Sequence, residues 1–263
     1  MRLDLFLSSE LQISRQKARE MILSGDISLD GRVVSKPSFA VSEDEKPDIS
    51  VRPAVRYVGR GGIKLAHAID SFEIDLSGAV CADVGASTGG FTDALLKAGA
   101  KLVYAIENGQ GQLDQSLLSD SRVVSLEQTD IRNPELAKTI KNVDFAAVDV
   151  SFISLKLVIE PTAALLRDNA DIVLLIKPQF EAGRKKLSKT GVVRDKKTHI
   201  AVVENISTYV KSCGITPIDL VFSPITGGNG NIEYLLHAKK RPAIHEDTEI
   251  DPYNTVYSAF EFF

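Results

Sequence analysis

The sequence predicts an α/β protein: a doubly wound sheet of seven strands, preceded by a small α+β unit. Three observations carry this. Apolar runs of strand length alternate with amphipathic helical segments from about residue 60 to 241. A glycine-rich loop follows the first of those runs and opens a helix, Asp83-Val84-Gly85-Ala86-Ser87-Thr88-Gly89-Gly90-Phe91. Ahead of them, residues 1 to 59 hold a short helix and a hairpin with a separate set of apolar positions.

In the small unit, Ser14 reads as an N-cap and Gly25 as the helix stop. Ala18, Met21 and Ile22 make an apolar stripe between them. Ile27-Ser28-Leu29 and Arg32-Val33-Val34, joined by Asp30-Gly31, read as a hairpin with a two-residue turn. Ser42 to Asp48 reads as loop. Further along, strands are expected at Val80 to Val84, Leu102 to Ile106, Val123 to Leu126, Phe145 to Val148 and Ile172 to Ile176, then near Ile218 to Phe222 and Tyr234 to His237. The first five are unbroken apolar runs, the pattern of parallel strands buried on both faces. Helices are expected at Phe91 to Ala98, Gln112 to Leu118, Leu155 to Leu166 and Thr198 to Lys211. Residues 242 to 263 form an acidic, aromatic tail whose pattern leaves open whether it docks or frays.

Composition narrows the classes. Of 263 residues, 44% are hydrophobic and 25% charged, which is ordinary globular usage. No apolar run approaches the ~18 residues of a membrane helix, and no signal peptide is visible. Two cysteines, Cys81 and Cys213, cannot frame a disulfide scaffold, and a reduced, cytoplasmic setting is expected. The net charge of −4 argues against a polyanionic partner, but its distribution reverses the point. Acids Glu246, Asp247, Glu249, Asp251 and Glu261 all lie beyond the last basic residue, Arg241. The basic residues cluster at Arg15, Lys17 and Arg19, at Arg52, Arg56 and Arg60, and from Arg184, Lys185 and Lys186 to Lys197. Clustered cations bind phosphates where net charge does not report it.

The glycine loop is a dinucleotide-type fingerprint with Ser87 in place of the middle glycine. Glu107 ends the next strand, where a carboxylate accepts ribose hydroxyls, and Asp130 follows the third. Acids at three successive strand ends suit S-adenosylmethionine better than NAD. Asp83 can pair with a methionine ammonium and would repel a pyrophosphate. Gly85-Ala86-Ser87-Thr88-Gly89 also matches the hydrolase elbow G-x-S-x-G, with Asp149 or Asp219 and His237 to complete a triad. The elbow ranks below the cofactor loop because it normally follows several strands.

Four ionisable residues stand where such sheets place their sites. Lys64 is on the helix before the first strand of the large sheet, Asp149 ends the fourth strand and Lys177 the fifth, and Glu233 precedes the last. The four histidines show no metal-ligand spacing, so no metal is expected. Neither a motif for methylating a base amine nor a Pro-Cys nucleophile is present. Hydroxyl activation by lysine remains, because a lysine beside a second cation gives up its proton more readily.

At this point the residues resemble a known family, the TlyA-type rRNA 2′-O-methyltransferases, often called hemolysins. The matching stretches are Ser14 to Glu20, Asp30 to Val34, Arg56 to Leu65, Asp83 to Asp93, Gly109 to Leu113, Asp149 to Ser154, Lys177 to Glu181, Gly191 to Asp195 and Gly228 to Glu233. Gly59 stands where the family usually has Ser, and Glu107-Asn108 where it has Asp-Val. The resemblance implies an S4-type RNA-binding domain and linker over 1–59 and an FtsJ-like methyltransferase domain over 60–241. It implies a catalytic tetrad at Lys64, Asp149, Lys177 and Glu233. S-adenosylmethionine would lie on Asp83, Gly85, Ser87, Thr88, Gly89, Gly90, Glu107, Asp130 and Asp149. RNA would lie on Arg2, Arg15, Lys17, Arg19, Arg60, Arg184, Lys185 and Lys186. The implied reaction is methyl transfer to a cytidine ribose in ribosomal RNA or ribosomal subunits. The other classes the sequence leaves are a membrane-lytic protein and a non-enzymatic RNA-binding protein.

Overall fold

A computed structural model describes the chain except residues 24, 35, 43–46, 52–56 and 242–249. Arg52 and Arg56 therefore lie outside the described residues. The small N-terminal unit consists of α1 (Leu3–Glu10), α2 (Arg15–Leu23), β1 (Ile27–Leu29), β2 (Arg32–Val33) and β3 (Ile49–Val51). Its three strands are antiparallel in the order β2-β1-β3. Ser14 caps α2 by accepting from the amide of Lys17 (3.1 Å), and Gly25 ends it with φ of +77°. Asp30 and Gly31 both take positive φ, as a two-residue hairpin turn demands. Leu3, Phe6 and Leu7 of α1 close a core with Ala18, Ile22, Ile27, Leu29, Val34 and Val41.

Asp4 is buried beneath this unit's surface and is held by two guanidinium groups. Arg2 reaches its two oxygens at 3.0 and 3.1 Å, and Arg15 Nε reaches Oδ2 at 3.0 Å. The hydrogen bond from Arg2, then that from Arg15, outweigh burial and hold the carboxyl down at about 2. The stability this confers is present above about pH 4 and is lost as pH falls toward 2. Asp4→Asn should lower the thermal midpoint of the full chain by several degrees at neutral pH. The difference should close near pH 2, and an undiminished gap there would assign the effect to packing.

The large unit begins with α3 (Gly61–Ser71) and β4 (Val80–Val84), followed by α4 (Gly90–Lys97), β5 (Leu102–Ile106), α5 (Gln115–Leu118) and β6 (Val123–Leu126). Next come α6 (Leu136–Thr139), β7 (Val143–Val148), α7 (Ile159–Leu165), β8 (Leu166–Ile176) and α8 (Pro178–Glu181). α9 (Lys196–Ser212), β9 (Thr216–Phe222), β10 (Tyr234–Lys239) and α10 (Pro252–Phe262) complete it. The seven strands run in the order β6-β5-β4-β7-β8-β10-β9. β10 is antiparallel to both its neighbours, with Tyr234 opposite Ile176 of β8 and Phe222 of β9. One apolar cluster lies on each face of the sheet, so the central strands are buried on both sides.

All seven expected strands form. The segment expected as helix from Gln112 is helical only from Gln115, because Asp114 takes an extended conformation and caps it. The helix expected to reach Leu166 stops at Leu165, and Leu166 opens β8. In the tail, α10 docks: Val256 and Ala259 are fully buried, and Phe260 stacks edge-on to His199 of α9. Among the described residues no helix is long and apolar enough to cross a membrane.

Candidate active site

Parallel strands β4, β5, β7 and β8 deliver their carboxyl ends to one edge of the sheet, and the reversed β10 begins at that same edge. A cleft of about 770 Å³ opens there, lined by Lys64, Ser151, Phe152, Lys177, Gln179, Phe180, Arg184 and Glu233 among others. The four ionisable residues expected from the sequence form two ion pairs at this edge, and Lys64, Lys177 and Glu233 line the cleft itself. Lys64, brought in by α3, meets Glu233 Oε2 at 2.5 Å. Lys177, at the end of β8, is paired with Asp149, at the end of β7, and donates to Ser151 Oγ at 3.0 Å. Both lysines are 8% exposed and Glu233 is 2% exposed, so these charges are held largely out of water and rely on each other.

The glycine loop stands beside this cleft. Gly85 has φ of +88°, and a Cβ there would lie 2.4 Å from the carbonyl oxygen of Asp149. The glycine thus lets the loop after β4 press against the end of β7, joining the loop to the tetrad. Gly90 allows α4 to abut the start of α3, where a Cβ would come within 3.1 Å of Gly59 O. Ser87 holds an uncommon positive φ of +47°, supported by the hydrogen bond its backbone N–H donates to Glu107 Oε2 (2.9 Å). Thr88 and Gly89 complete the turn, with Gly89 at φ of +94° as N-cap of α4.

Asp83 is fully buried under the loop. Thr92 donates to its Oδ2 at 2.7 Å, while Oδ1 has no partner among the described residues. Burial chiefly, with Asp149 and Glu107 nearby, raises its pKa to about 7 against the opposing hydrogen bond from Thr92. A buried acceptor with a free oxygen beside an open glycine turn fits the cationic amine of S-adenosylmethionine.

The other expected cofactor residues are held by neighbouring groups. The Glu107 carboxylate accepts from the amides of Ser87 and Gly109 (2.9 and 2.7 Å), so it shapes the loop. Asp130 is gripped by Arg132 at 2.6 to 3.1 Å, which lowers its pKa. Glu127, which sequence reading passed over, gathers the amides of Gly111, Gln112 and Leu113. The hydrolase elbow has no triad: Asp149 is paired with Lys177, and His237 with Asp171 at 2.6 Å. Ser87 Oγ instead donates to Gln112.

Among the cationic residues, Arg2 and Arg15 are engaged by Asp4 and stand as a paired patch at half exposure. Lys17 and Arg19 are exposed on α2, and Arg184, Lys185 and Lys186 form an exposed turn at the cleft. Arg60 donates to Thr226 O at 3.0 Å, on the loop before Glu233. Phe152 is 92% exposed, carries φ of +62° and lies 5.2 Å from the Phe180 ring. Sequence reading did not single out either ring. An aromatic directly beyond a strand-end acid and serine was the available signal.

The family model described as FtsJ-like methyltransferase matches residues 57–240, and the S4 domain model matches residues 1–46. The chain belongs to the FtsJ-like methyltransferase family. Within this methyltransferase family it is 39% identical over 223 residues to the 16S/23S rRNA (cytidine-2′-O)-methyltransferase TlyA of Mycobacterium tuberculosis, covering 85% of this chain and 83% of that one. It is 40% identical over 241 residues to Hemolysin A of Brachyspira hyodysenteriae, covering 90% and 99%. A solved chain from Streptococcus thermophilus that also carries the hemolysin name is 36% identical, with a TM-score of 0.74, covering 100% of this methyltransferase and 96% of that chain.

Proposed function

We propose that this methyltransferase transfers the methyl group of S-adenosylmethionine to the ribose 2′-hydroxyl of a cytidine in ribosomal RNA. The observation that carries the reading is the pair of Lys–acid couples, Lys64–Glu233 and Lys177–Asp149, whose two buried lysines line one cleft beside the glycine loop. Such a site can orient a hydroxyl and take one proton. The named activity of the TlyA relative supports the substrate class.

S-adenosylmethionine supplies an already activated methyl group. Asp83 would hold its ammonium, with the backbone from Gly85 to Gly90, Glu107 and Asp130 around the remainder. Asp149 stands between that loop and Lys177, so it serves both cofactor and base. Lys177 first releases its ammonium proton to solvent and then takes the proton of the 2′-hydroxyl, and Asp149 and Ser151 aim its Nζ. Lys64, held by Glu233, orients the ribose. Phe152 and Phe180 offer apolar faces at the cleft mouth on which an unstacked base can lie.

Incubation with labelled S-adenosylmethionine and ribosomal subunits tests the proposal. Label should map to a cytidine 2′-oxygen in ribosomal RNA. Label on a base, or none in RNA, would refute it. Binding of RNA should also be salt-dependent. Replacing Arg184, Lys185 and Lys186 by Ala should reduce the slope of log K against log salt by about 2 to 3, as three phosphate contacts require. The same should hold for Arg15, Lys17 and Arg19, with a smaller change because Arg15 also serves Asp4. An unchanged slope in both variants would place the RNA elsewhere.

A further inference from the structure

We infer that Gln179 reads the target base, its Oε1 accepting a hydrogen bond from the exocyclic amine of the cytosine. The inference rests on the proposed ribose methylation of cytidine and adds a specificity-determining residue to it. Gln179 lies in the first turn of α8, two residues beyond Lys177, on the wall of the cleft. Its Nε2 donates to Glu233 Oε1 at 3.1 Å, and the other carboxylate oxygen of Glu233 is taken by Lys64. A carboxylate held by a lysine only accepts, so the amide has one orientation: NH₂ toward Glu233 and carbonyl oxygen away from it. That carbonyl oxygen is buried and has no partner among the described residues. A buried acceptor left without a donor is costly, and such groups are paired as a rule.

The chemistry of an internal nucleotide supplies few donors. Its 3′- and 5′-oxygens are closed in phosphodiesters. The one hydrogen of its 2′-hydroxyl leaves toward Lys177. On cytosine, the only remaining N–H groups are the two of the exocyclic amine. Uracil presents a carbonyl oxygen at that position, so lone pairs would face lone pairs. Phe180, the residue after Gln179, and Phe152 are placed to hold the base plane at the mouth of the cleft. Gln179 therefore spans from the catalytic carboxylate to the base edge, and it couples a correct base to the reacting centre.

A cycle of protein and substrate changes tests this. RNA carrying the mapped target position is prepared with cytidine, with the amine-deleted 2-pyrimidinone ribonucleoside, or with uridine there. Wild type and Gln179→Met are compared on all three, with melting curves to show that both are folded. Wild type should lose roughly 10- to 100-fold in kcat/KM when the amine is deleted, and more on uridine. Gln179→Met should lose a similar factor on cytidine and almost nothing further on the amine-deleted RNA. If the variant instead keeps the wild-type preference and is merely slower on every RNA, Gln179 only props Glu233 and the inference falls. If wild type methylates no cytidine while binding the cofactor, the ribose-methylation reading fails as well.

Discussion

Lys177→Ala should reduce methyl transfer by roughly 10² to 10⁴-fold, the range general base catalysis supplies. Affinity for S-adenosylmethionine should stay close to that of the wild type, because the loop and Asp83 lie on β4 and the following turn. Lys177→Arg should be as inactive. A guanidinium cannot release its proton near neutral pH, although it can keep Asp149 paired. The two variants separate chemistry from folding. The Ala variant leaves Asp149 partly buried without its cation, which destabilises the site. The Arg variant preserves the pair and should melt close to wild type. Single-turnover methyl transfer, cofactor calorimetry and melting curves make the comparison. An active Arg variant would show that Lys177 only orients the hydroxyl, and Lys64 would become the base.

Asp83→Asn should weaken cofactor binding by roughly 10- to 100-fold, the worth of a hydrogen bond to a charged partner in a buried site. It should also stabilise the chain without cofactor, and only at higher pH. The folded carboxyl titrates at about 7, above the ~3.9 of an unfolded Asp. The proton is thus bound more tightly in the folded state. Its stabilising contribution is complete below about pH 4 and is lost as pH rises through 7. Above that pH the folded chain carries a buried charge with an unpaired oxygen, and the Asn variant does not. The variant should therefore melt higher near pH 8 and the two should converge near pH 4. Wild-type affinity for the cofactor should rise between about pH 5.5 and 7.5, since an ammonium partner requires the ionised carboxylate. The variant's affinity should be flat over the same range. A pH-independent wild type would show that Asp83 does not meet the ammonium. Calorimetry across pH, paired with melting curves, reads both arms.

The two experiments expose a conflict built into the site. Residues that serve the ligand are held where the chain alone would not choose to put them. Among the described residues, Asp83 is a buried acid with one oxygen unpartnered, Phe152 an exposed ring at positive φ, and the Gln179 carbonyl a buried acceptor without a donor. Each is locally unfavourable, and each belongs to the glycine-loop strand or the cleft wall.

By itself the sequence determined the strands, the hairpin turn and the candidate tetrad. Strands buried on both faces must be apolar throughout, so Val80 to Val84 and Ile172 to Ile176 are legible without any partner. Asp30-Gly31 and Ser14 are legible because turns and caps are satisfied by local backbone chemistry. Asp149 and Lys177 are legible because a charge after a buried run must emerge at the sheet edge. What only the tertiary structure decided is how these residues pair. β10 runs against its neighbours, and that reversal carries Glu233 to the edge where β7 and β8 end. α3 then delivers Lys64 to Glu233 across 169 positions. That Asp4 lies buried between Arg2 and Arg15, and that Arg132 lies across Asp130, is seen only in the fold. The docking of α10 depends on apolar ground supplied by α9 and β9, far away in the chain. The difference is physical. A strand, cap or turn is chosen by neighbours a few residues away, whereas the partner of a charge or an apolar face is chosen by whichever segment the fold brings beside it.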